Sequence, residues 1–166
     1  FDAQGKQYFD AVSSWWVNIH GHSNPAIAQA ISRQALELEH VMFAGVTHPP
    51  AVLLAERLIQ LAPVPMAKVF YSDNGSTAIE VALKMAFQYW QNKGVDTKKR
   101  LIALEGGYHG DTFGAMATGK SSGFYDPFAP WLFQVEFIPT GVCACTEEDA
   151  LAALDQLLAN NADEIA

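Results

Sequence analysis

A short apolar run, a glycine turn and a long helical pattern follow one another near the middle of the chain, and this succession restricts the fold most. Val69–Tyr71 is typical of a buried strand, Ser72–Ser76 of a turn, and Thr77–Lys93 of a helix that Gly94 ends. Parallel strands need a crossover between them, and that crossover is usually a helix. The succession therefore predicts a unit of an α/β fold.

The same alternation continues toward the C-terminus. Strands are predicted at Leu101–Leu104 and Phe133–Ile138, a short helix over Thr112–Thr118, and a last helix that Thr146 caps. We therefore expect an α/β domain with a mostly parallel sheet. Another strand is expected to begin near Ala166, so we interpret the sequence as a piece of a longer protein.

The N-terminal third has a different pattern. Residues 1–20 alternate loosely between apolar and polar side chains, which predicts short strands or a hairpin. Asn24-Pro25 predicts the start of a helix whose apolar residues recur three and four positions apart. A second helix is predicted to open at Thr47–Pro50 and to close at Pro63.

Composition excludes several classes of partner. The formal net charge is −8, and the one basic run is Lys98–Arg100, so a nucleic-acid surface is not expected. Half of the residues are hydrophobic (50%), enough for a core, yet no apolar stretch reaches the roughly 18 residues of a membrane span. Two cysteines do not make a disulfide framework. A reducing compartment, the cytoplasm, is expected.

The turn Asp73–Thr77 before the long helix is a candidate phosphate site. A helix N-terminus offers unpaired N–H groups and partial positive charge, and Gly75 allows close approach of the backbone. The alternative is an ordinary capped helix, because Thr77 and Glu80 have capping-box spacing. Glu80 is also expected to pair with Lys84, four residues later on the same helix.

Aromatic residues mark two further candidate positions. Tyr108 lies in a glycine-rich turn after a predicted strand, at the sheet edge where α/β proteins bind ligands, and it could stack on a planar ring. The adjacent Trp15 and Trp16 would face opposite sides if they lay on a strand. Core packing is the alternative for all three side chains.

Two histidines and two cysteines have spacings that suggest metal ligation. His20-x-His22 and Cys143-x-Cys145 each lack a matching second pair at a recognised distance along the chain. We therefore predict no metal site.

Several motifs together resemble one family of enzymes. They are Ser13–Trp16, His40–Pro49, Ser72–Ser76, Glu80–Ala86 and Gly107–Met116. In this order they resemble the class III, fold-type-I aminotransferases that depend on pyridoxal 5'-phosphate. The tryptophan pair and the His40–Pro49 segment are most similar to the members of that family that serve biotin synthesis.

The resemblance implies roles for individual residues. Gly75 and Ser76 match the turn that binds the cofactor phosphate, and Tyr108 matches the aromatic residue beside the pyridoxal ring and the substrate. Trp15 matches a tryptophan of the substrate pocket, and Trp16 is a weaker candidate for the same wall. The division implied is an N-terminal segment, 1–45, from the small domain, and the first part of the cofactor-binding large domain, 46–166.

The implied reaction moves the amino group of S-adenosylmethionine to 8-amino-7-oxononanoate, in a homodimer that the segment Phe43–His48 helps to form. None of the seven lysines lies in a motif that matches the lysine to which the cofactor attaches, so no catalytic residue is assigned. That lysine and the aspartate that pairs with the pyridine nitrogen are expected beyond Ala166. Two alternatives stay open: a class III transaminase for another ω-amino substrate, and a non-catalytic binding or dimerisation module.

Overall fold

The computed structural model describes residues 1–119, 123–141 and 145–166. The chain divides into two compact units, Phe1–Val69 and Phe70–Ala166, which are described separately below.

The first unit contains the helices α1 (Ser13–Trp16), α2 (Pro25–Glu37) and α3 (Pro49–Leu61). The Asn24 side chain caps α2 by accepting hydrogen bonds from the N–H groups of Ala26 and Ile27, at 3.0 and 3.3 Å. The predicted starts of α2 and α3 are confirmed, and both helices have proline in their first turn.

The strands or hairpin predicted in residues 1–20 are wrong. These residues contain no strand, and α1 replaces it with a single turn of left-handed helix. The physical reason is backbone conformation: all four residues of α1 have φ between 47° and 72°, which lies outside the extended region that a strand needs.

The described residues of the second unit form helices around a two-stranded sheet. In chain order they are α4 (Gly75–Asn92), β1 (Ile102–Leu104), α5 (Phe113–Thr118), a 3-10 helix (Gly123–Trp131), β2 (Glu136–Ile138) and α6 (Glu147–Asn161). β1 and β2 are parallel, with Ala103 opposite Phe137. The α/β class and the parallel pairing are confirmed, although β2 begins three residues later than predicted.

The core of the second unit surrounds α5. Its residues Gly114–Thr118 are all buried, and α5 packs against both α4 and β1. The small side chains of this helix allow that close packing. Leu101, Tyr125 and Ile138 are also part of this core, with 8%, 9% and 7% of their surfaces exposed.

The C-terminal residues pair with the backbone just before β1. Arg100 and Ile165 form a parallel bridge, and the Ala166 N–H donates to the Arg100 carbonyl at 2.9 Å. The Arg100 guanidinium binds the carboxylates of Glu136 and Glu164. This contact agrees with the strand expected to begin near Ala166.

The strand predicted at Val69–Tyr71 does not form in the part of the chain that the structure describes. Ladder hydrogen bonds require a neighbouring strand, and the described sheet pairs only β1 with β2. Its apolar sequence is nevertheless typical of a strand interior.

Much apolar surface stays exposed in both units, and this leads to the first prediction. Leu36, Leu61 and Phe124 have more than 80% of their surfaces exposed. We expect the isolated 166-residue chain to self-associate and to bind a hydrophobic dye strongly, because patches of this kind drive association. Light scattering and dye fluorescence measure both effects, with the full-length protein as control. A monomeric chain that unfolds cooperatively would contradict the expectation.

Candidate functional site

The N-terminus of α4 is capped by Asn74. Its Oδ1 accepts a hydrogen bond from the Thr77 N–H at 3.0 Å, and the Asn74 N–H donates to Thr77 Oγ1 at 3.2 Å. The capping box predicted from Thr77 and Glu80 is therefore wrong, and the helix begins earlier, at Gly75. Asparagine is the stronger N-cap because its short amide reaches back to the helix N–H groups without strain.

This cap leaves two donors for a ligand. The Thr77 N–H donates to the Asn74 side chain and the Ala78 N–H to the Asn74 carbonyl. The N–H groups of Gly75 and Ser76, in contrast, have no partner inside the helix. A Cβ built on Gly75 meets nothing within 4 Å, so the space in front of it is open. An anion such as a phosphate fits this place, because it offers two N–H groups, the Ser76 hydroxyl and the positive end of an 18-residue helix.

Glu80 connects α4 to α5. Its Oε1 accepts hydrogen bonds from the N–H groups of Gly114 and Ala115, at 2.7 and 3.3 Å. The predicted pair with Lys84 is wrong, because this carboxylate is engaged across the helix interface. The Glu80 carboxylate thus satisfies free N–H groups in the first turn of α5. The N-cap residue of α5, Thr112, makes no side-chain capping bond of its own.

The turn that carries Tyr108 lies against the start of α4. A Cβ built on Gly110 would stand 1.9 Å from Ser76 Oγ, so the backbone of one turn touches the hydroxyl of the other. The start of α4 and the turn that carries Tyr108 are therefore in contact.

The Tyr108 ring is half exposed, at 52%, and is fixed at its far end. Its hydroxyl donates to Asp111 Oδ2 at 3.1 Å. This hydrogen bond raises the pKa of the Tyr108 phenol above its ordinary value, because ionisation would place two negative charges side by side. The tyrosine therefore presents a neutral aromatic face that a planar ring can stack against.

Trp15 and Trp16 lie in the first unit, on α1. Their ring centroids are 5.6 Å apart with an interplanar angle of 35°, and their surfaces are 72% and 70% exposed. The expectation that they face opposite sides is wrong, since it assumed a strand. Core packing of either ring is also absent from the described residues.

The left-handed conformation of α1 is costly. Hydrogen bonds from the Trp16 N–H to the Val12 carbonyl and from the Val17 N–H to the Ser13 carbonyl close it, at 2.8 and 2.9 Å. Each L-residue in such a helix costs roughly 1–2 kcal/mol relative to the right-handed form. Strain of this size persists only where surrounding contacts hold it.

Asp10 supplies such contacts. Its Oδ2 accepts a hydrogen bond from Ser14 Oγ at 2.7 Å and lies 2.8 Å from His22 Nε2. Bonds from the hydroxyl and the N–H of Ser14, together with His22, hold the pKa of the Asp10 carboxyl well below its usual range. Sequence reasoning missed this cluster and considered His22 only as a metal ligand beside His20.

The segment expected at a dimer surface contains an aromatic stack. The rings of Phe43 and His48 have centroids 5.5 Å apart and an interplanar angle of 24°. The buried His48 Nδ1 has no hydrogen-bond partner among the described residues.

The histidine and cysteine spacings that suggest metal ligation are not part of a ligand cluster among the described residues. Among the described residues no group of three or more His, Cys, Asp or Glu side chains could hold an ion. Cys143 lies outside those residues, and the Cys145 thiol donates to the Thr140 carbonyl. No helix in the described part of the chain has the length and apolar character needed to cross a bilayer.

The first turn of α4, with its two free N–H donors, thus lies beside the turn that carries Tyr108 in a parallel α/β unit. The sequence profile of the class III aminotransferases matches residues 1–166, and the chain belongs to that family.

Two curated relatives are similar to almost the whole of this chain. The chain is 49% identical over 164 residues to the adenosylmethionine-8-amino-7-oxononanoate aminotransferase of Synechococcus elongatus, covering 95% of this chain and 38% of that protein. It is 42% identical to the protein of the same name from Geobacter sulfurreducens, covering 99% and 39%. The chain thus spans about two fifths of the length of these curated relatives.

Solved structures agree. The crystal structure of adenosylmethionine-8-amino-7-oxononanoate aminotransferase from Methanocaldococcus jannaschii matches with a TM-score of 0.89 at 38% identity, covering 99% of this chain and 37% of that one. An omega transaminase from Pseudomonas jessenii matches with a TM-score of 0.86 at 30% identity, covering 100% and 40%. The fold-type-I expectation is confirmed by these neighbours.

The contact between the two turns can be tested with one glycine and a matched control. Gly110 (φ +112°) and Gly94 (φ +73°) both have backbone angles that strain a side chain, but a Cβ on Gly94 meets nothing within 4 Å. In the full-length protein we expect Gly94→Ala to lower the free energy of unfolding by about 1 kcal/mol and Gly110→Ala by about 2–4 kcal/mol, since alanine there also displaces Ser76. Urea unfolding measures both. Equal losses would contradict the contact.

Proposed function

We propose that this chain supplies the cofactor-phosphate and ring-stacking side of a pyridoxal 5'-phosphate-dependent aminotransferase of biotin synthesis. The whole protein would transfer the amino group of S-adenosylmethionine to 8-amino-7-oxononanoate. The observation that carries the proposal is the contact of Ser76 with the Tyr108–Gly110 turn at the open end of α4. The names of the relatives supply the substrates.

The donor set fits the cofactor. The N–H groups of Gly75 and Ser76 and the Ser76 hydroxyl would bind the phosphate, and the helix dipole would favour its charge. Tyr108 would stack on the pyridine ring and touch the substrate, held at its tip by Asp111. When bound, pyridoxal phosphate supplies the electron-withdrawing ring on which amino transfer depends.

The remaining assignments follow the family. Trp15 and Trp16 would line the wall of the substrate pocket, and Phe43–His48 would contribute to a homodimer in the cytoplasm. Residues 1–45 would belong to the small domain and 46–166 to the large one. The lysine and the aspartate that complete the chemistry would come from elsewhere in the whole protein, so activity is proposed for that protein.

The cofactor site is tested by removing one donor. In the full-length protein we expect Ser76→Ala to weaken pyridoxal phosphate binding roughly ten- to hundredfold, because a hydrogen bond to a charged group is lost. Titration of the cofactor-free protein, followed by absorbance, measures the dissociation constant. The control is Ser32→Ala, on the exposed surface of α2, which should leave it unchanged. Equal constants for the two variants would contradict the phosphate assignment.

The substrate assignment is tested at a tryptophan. We expect Trp15→Phe in the full-length enzyme to raise the KM for S-adenosylmethionine several-fold more than the KM for a simple ω-amino donor, since indole offers the larger stacking surface. Steady-state assays with each donor measure the change. Trp131→Phe is the matched control, because that indole is similarly exposed, at 79%, in the 3-10 helix.

Two outcomes would favour an alternative over the proposed function. Unchanged selectivity in Trp15→Phe, with activity toward ω-amino donors, would favour a class III transaminase for another substrate. The same scaffold occurs in the omega transaminase of Pseudomonas jessenii. Failure of the full-length protein to bind pyridoxal phosphate covalently, tested by borohydride reduction and intact-mass measurement, would favour a non-catalytic module.

A further inference from the structure

We propose that Asp10, Ser14 and His22 form a positioning site that holds α1 in its left-handed conformation and so fixes the paired tryptophans for the amino donor. The inference rests on the proposed function in one respect, the contact of Trp15 with substrate. It adds three residues that make no contact with substrate themselves and act through the backbone that carries the two indoles.

The contacts converge on one carboxylate oxygen. Asp10 Oδ2 receives the Ser14 hydroxyl at 2.7 Å and lies 2.8 Å from His22 Nε2, while Ser14 Oγ is 3.3 Å from the same nitrogen. Asn18 Nδ2 lies 3.4 Å from His22 Nδ1 on the opposite side of the ring. The imidazole is therefore in contact at both nitrogens.

The cluster contacts a residue with left-handed backbone angles, Ser14. Ser14 has φ 47° and ψ 55°, and Trp15, directly after it, has φ 68° and ψ 45°. Both pairs of angles are those of a left-handed helix, which single residues other than glycine adopt rarely and successive ones almost never. The hydrogen bond from the Ser14 hydroxyl to Asp10 opposes the backbone rotation that would convert α1 to another conformation.

A purely electrostatic role does not account for the arrangement. The side chains of His22 and Asp10 are 59% and 28% exposed, and exposed ion pairs contribute little to stability. The role of Asp10 and His22 is geometric. Through Ser14, they connect the segment before α1 to the segment after it. Strained backbone of this kind is typically retained where it places a functional side chain.

The consequence for the tryptophans is a fixed relative orientation. In α1 the two adjacent ring centroids lie 5.6 Å apart, and both rings are exposed. Paired indole faces suit a ligand with a flat heterocycle or a cationic sulfonium, since both interact with aromatic faces. The amino donor named for the relatives is adenosylmethionine, which carries both groups.

The test uses the full-length enzyme loaded with its cofactor. We expect Asp10→Ala to raise the KM for S-adenosylmethionine roughly tenfold with kcat changed less than about twofold, because binding geometry is lost and the chemical step is not. The exciton couplet of the two indoles in circular dichroism should shrink in parallel. Asp10→Asn keeps an acceptor for Ser14 and should give an intermediate effect on both measurements.

Rescue by glycine distinguishes positioning from general damage. Ser13 also has a left-handed backbone (φ 49°), so Ser13→Gly removes a conformational cost from α1. Added to Asp10→Ala, it should restore part of the couplet and of the KM. Ser23→Gly is the matched control, since Ser23 is left-handed too (φ 55°) but lies outside α1, and it should restore neither.

Each result has one reading. A couplet unchanged in Asp10→Ala, or restored equally by Ser13→Gly and Ser23→Gly, would overturn the positioning role. A couplet that shrinks while the KM stays constant would confirm that the cluster holds α1 and overturn its role toward the donor. If Trp15→Phe also leaves the KM unchanged, the proposed substrate contact itself fails, and the couplet separates that failure from failure of the positioning.

Discussion

The hydrogen bonds from Gly114 and Ala115 to the Glu80 carboxylate are the interaction on which the candidate cofactor site depends. They fasten the buried helix α5 to the second turn of α4, at 2.7 and 3.3 Å. Since α5 directly follows the turn that carries Tyr108, fixing its start also fixes that turn against Ser76. A carboxylate at the start of α5 is favoured by the free N–H groups and the positive end of the helix. The same side chain thus stabilises the core and assembles the site.

The two candidate sites use different means of fixing side chains. In the second unit, the buried small residues of α5 pack against α4, and the hydrogen bonds to Glu80 join that core to the candidate site. In the first unit none of the residues of α1, α2 or α3 is buried, and polar contacts around Asp10 hold the tryptophans instead. A site that is held by exposed polar contacts depends more on each hydrogen bond than a packed site does, because few packed neighbours help to hold it.

Local sequence was sufficient for the features that depend on near neighbours. The proline starts of α2 and α3 and the alternation of strands and helices in the second unit each arise within a few residues or one periodic segment. The features missed depend on distant residues or rare backbone. Nothing local tells that Glu80 bonds to α5, 34 residues away, in preference to Lys84 on its own helix. The left-handed turn α1 was missed because serine and tryptophan carry no propensity for positive φ.

In the proposed function, the kinds of group that this chain supplies also determine which kinetic constants it would affect. In that function these groups would bind, stack and orient: two N–H groups, a hydroxyl and a phenol at one site, two indoles at the other. None of them is a base poised to take a proton, and the hydrogen bond to Asp111 raises the pKa of the phenol further. Interactions that are equally strong in the ground and transition states change affinity and leave the chemical step alone. Variation in this part of the protein should therefore act on cofactor retention and donor choice, whereas the rate of proton transfer belongs to residues outside it.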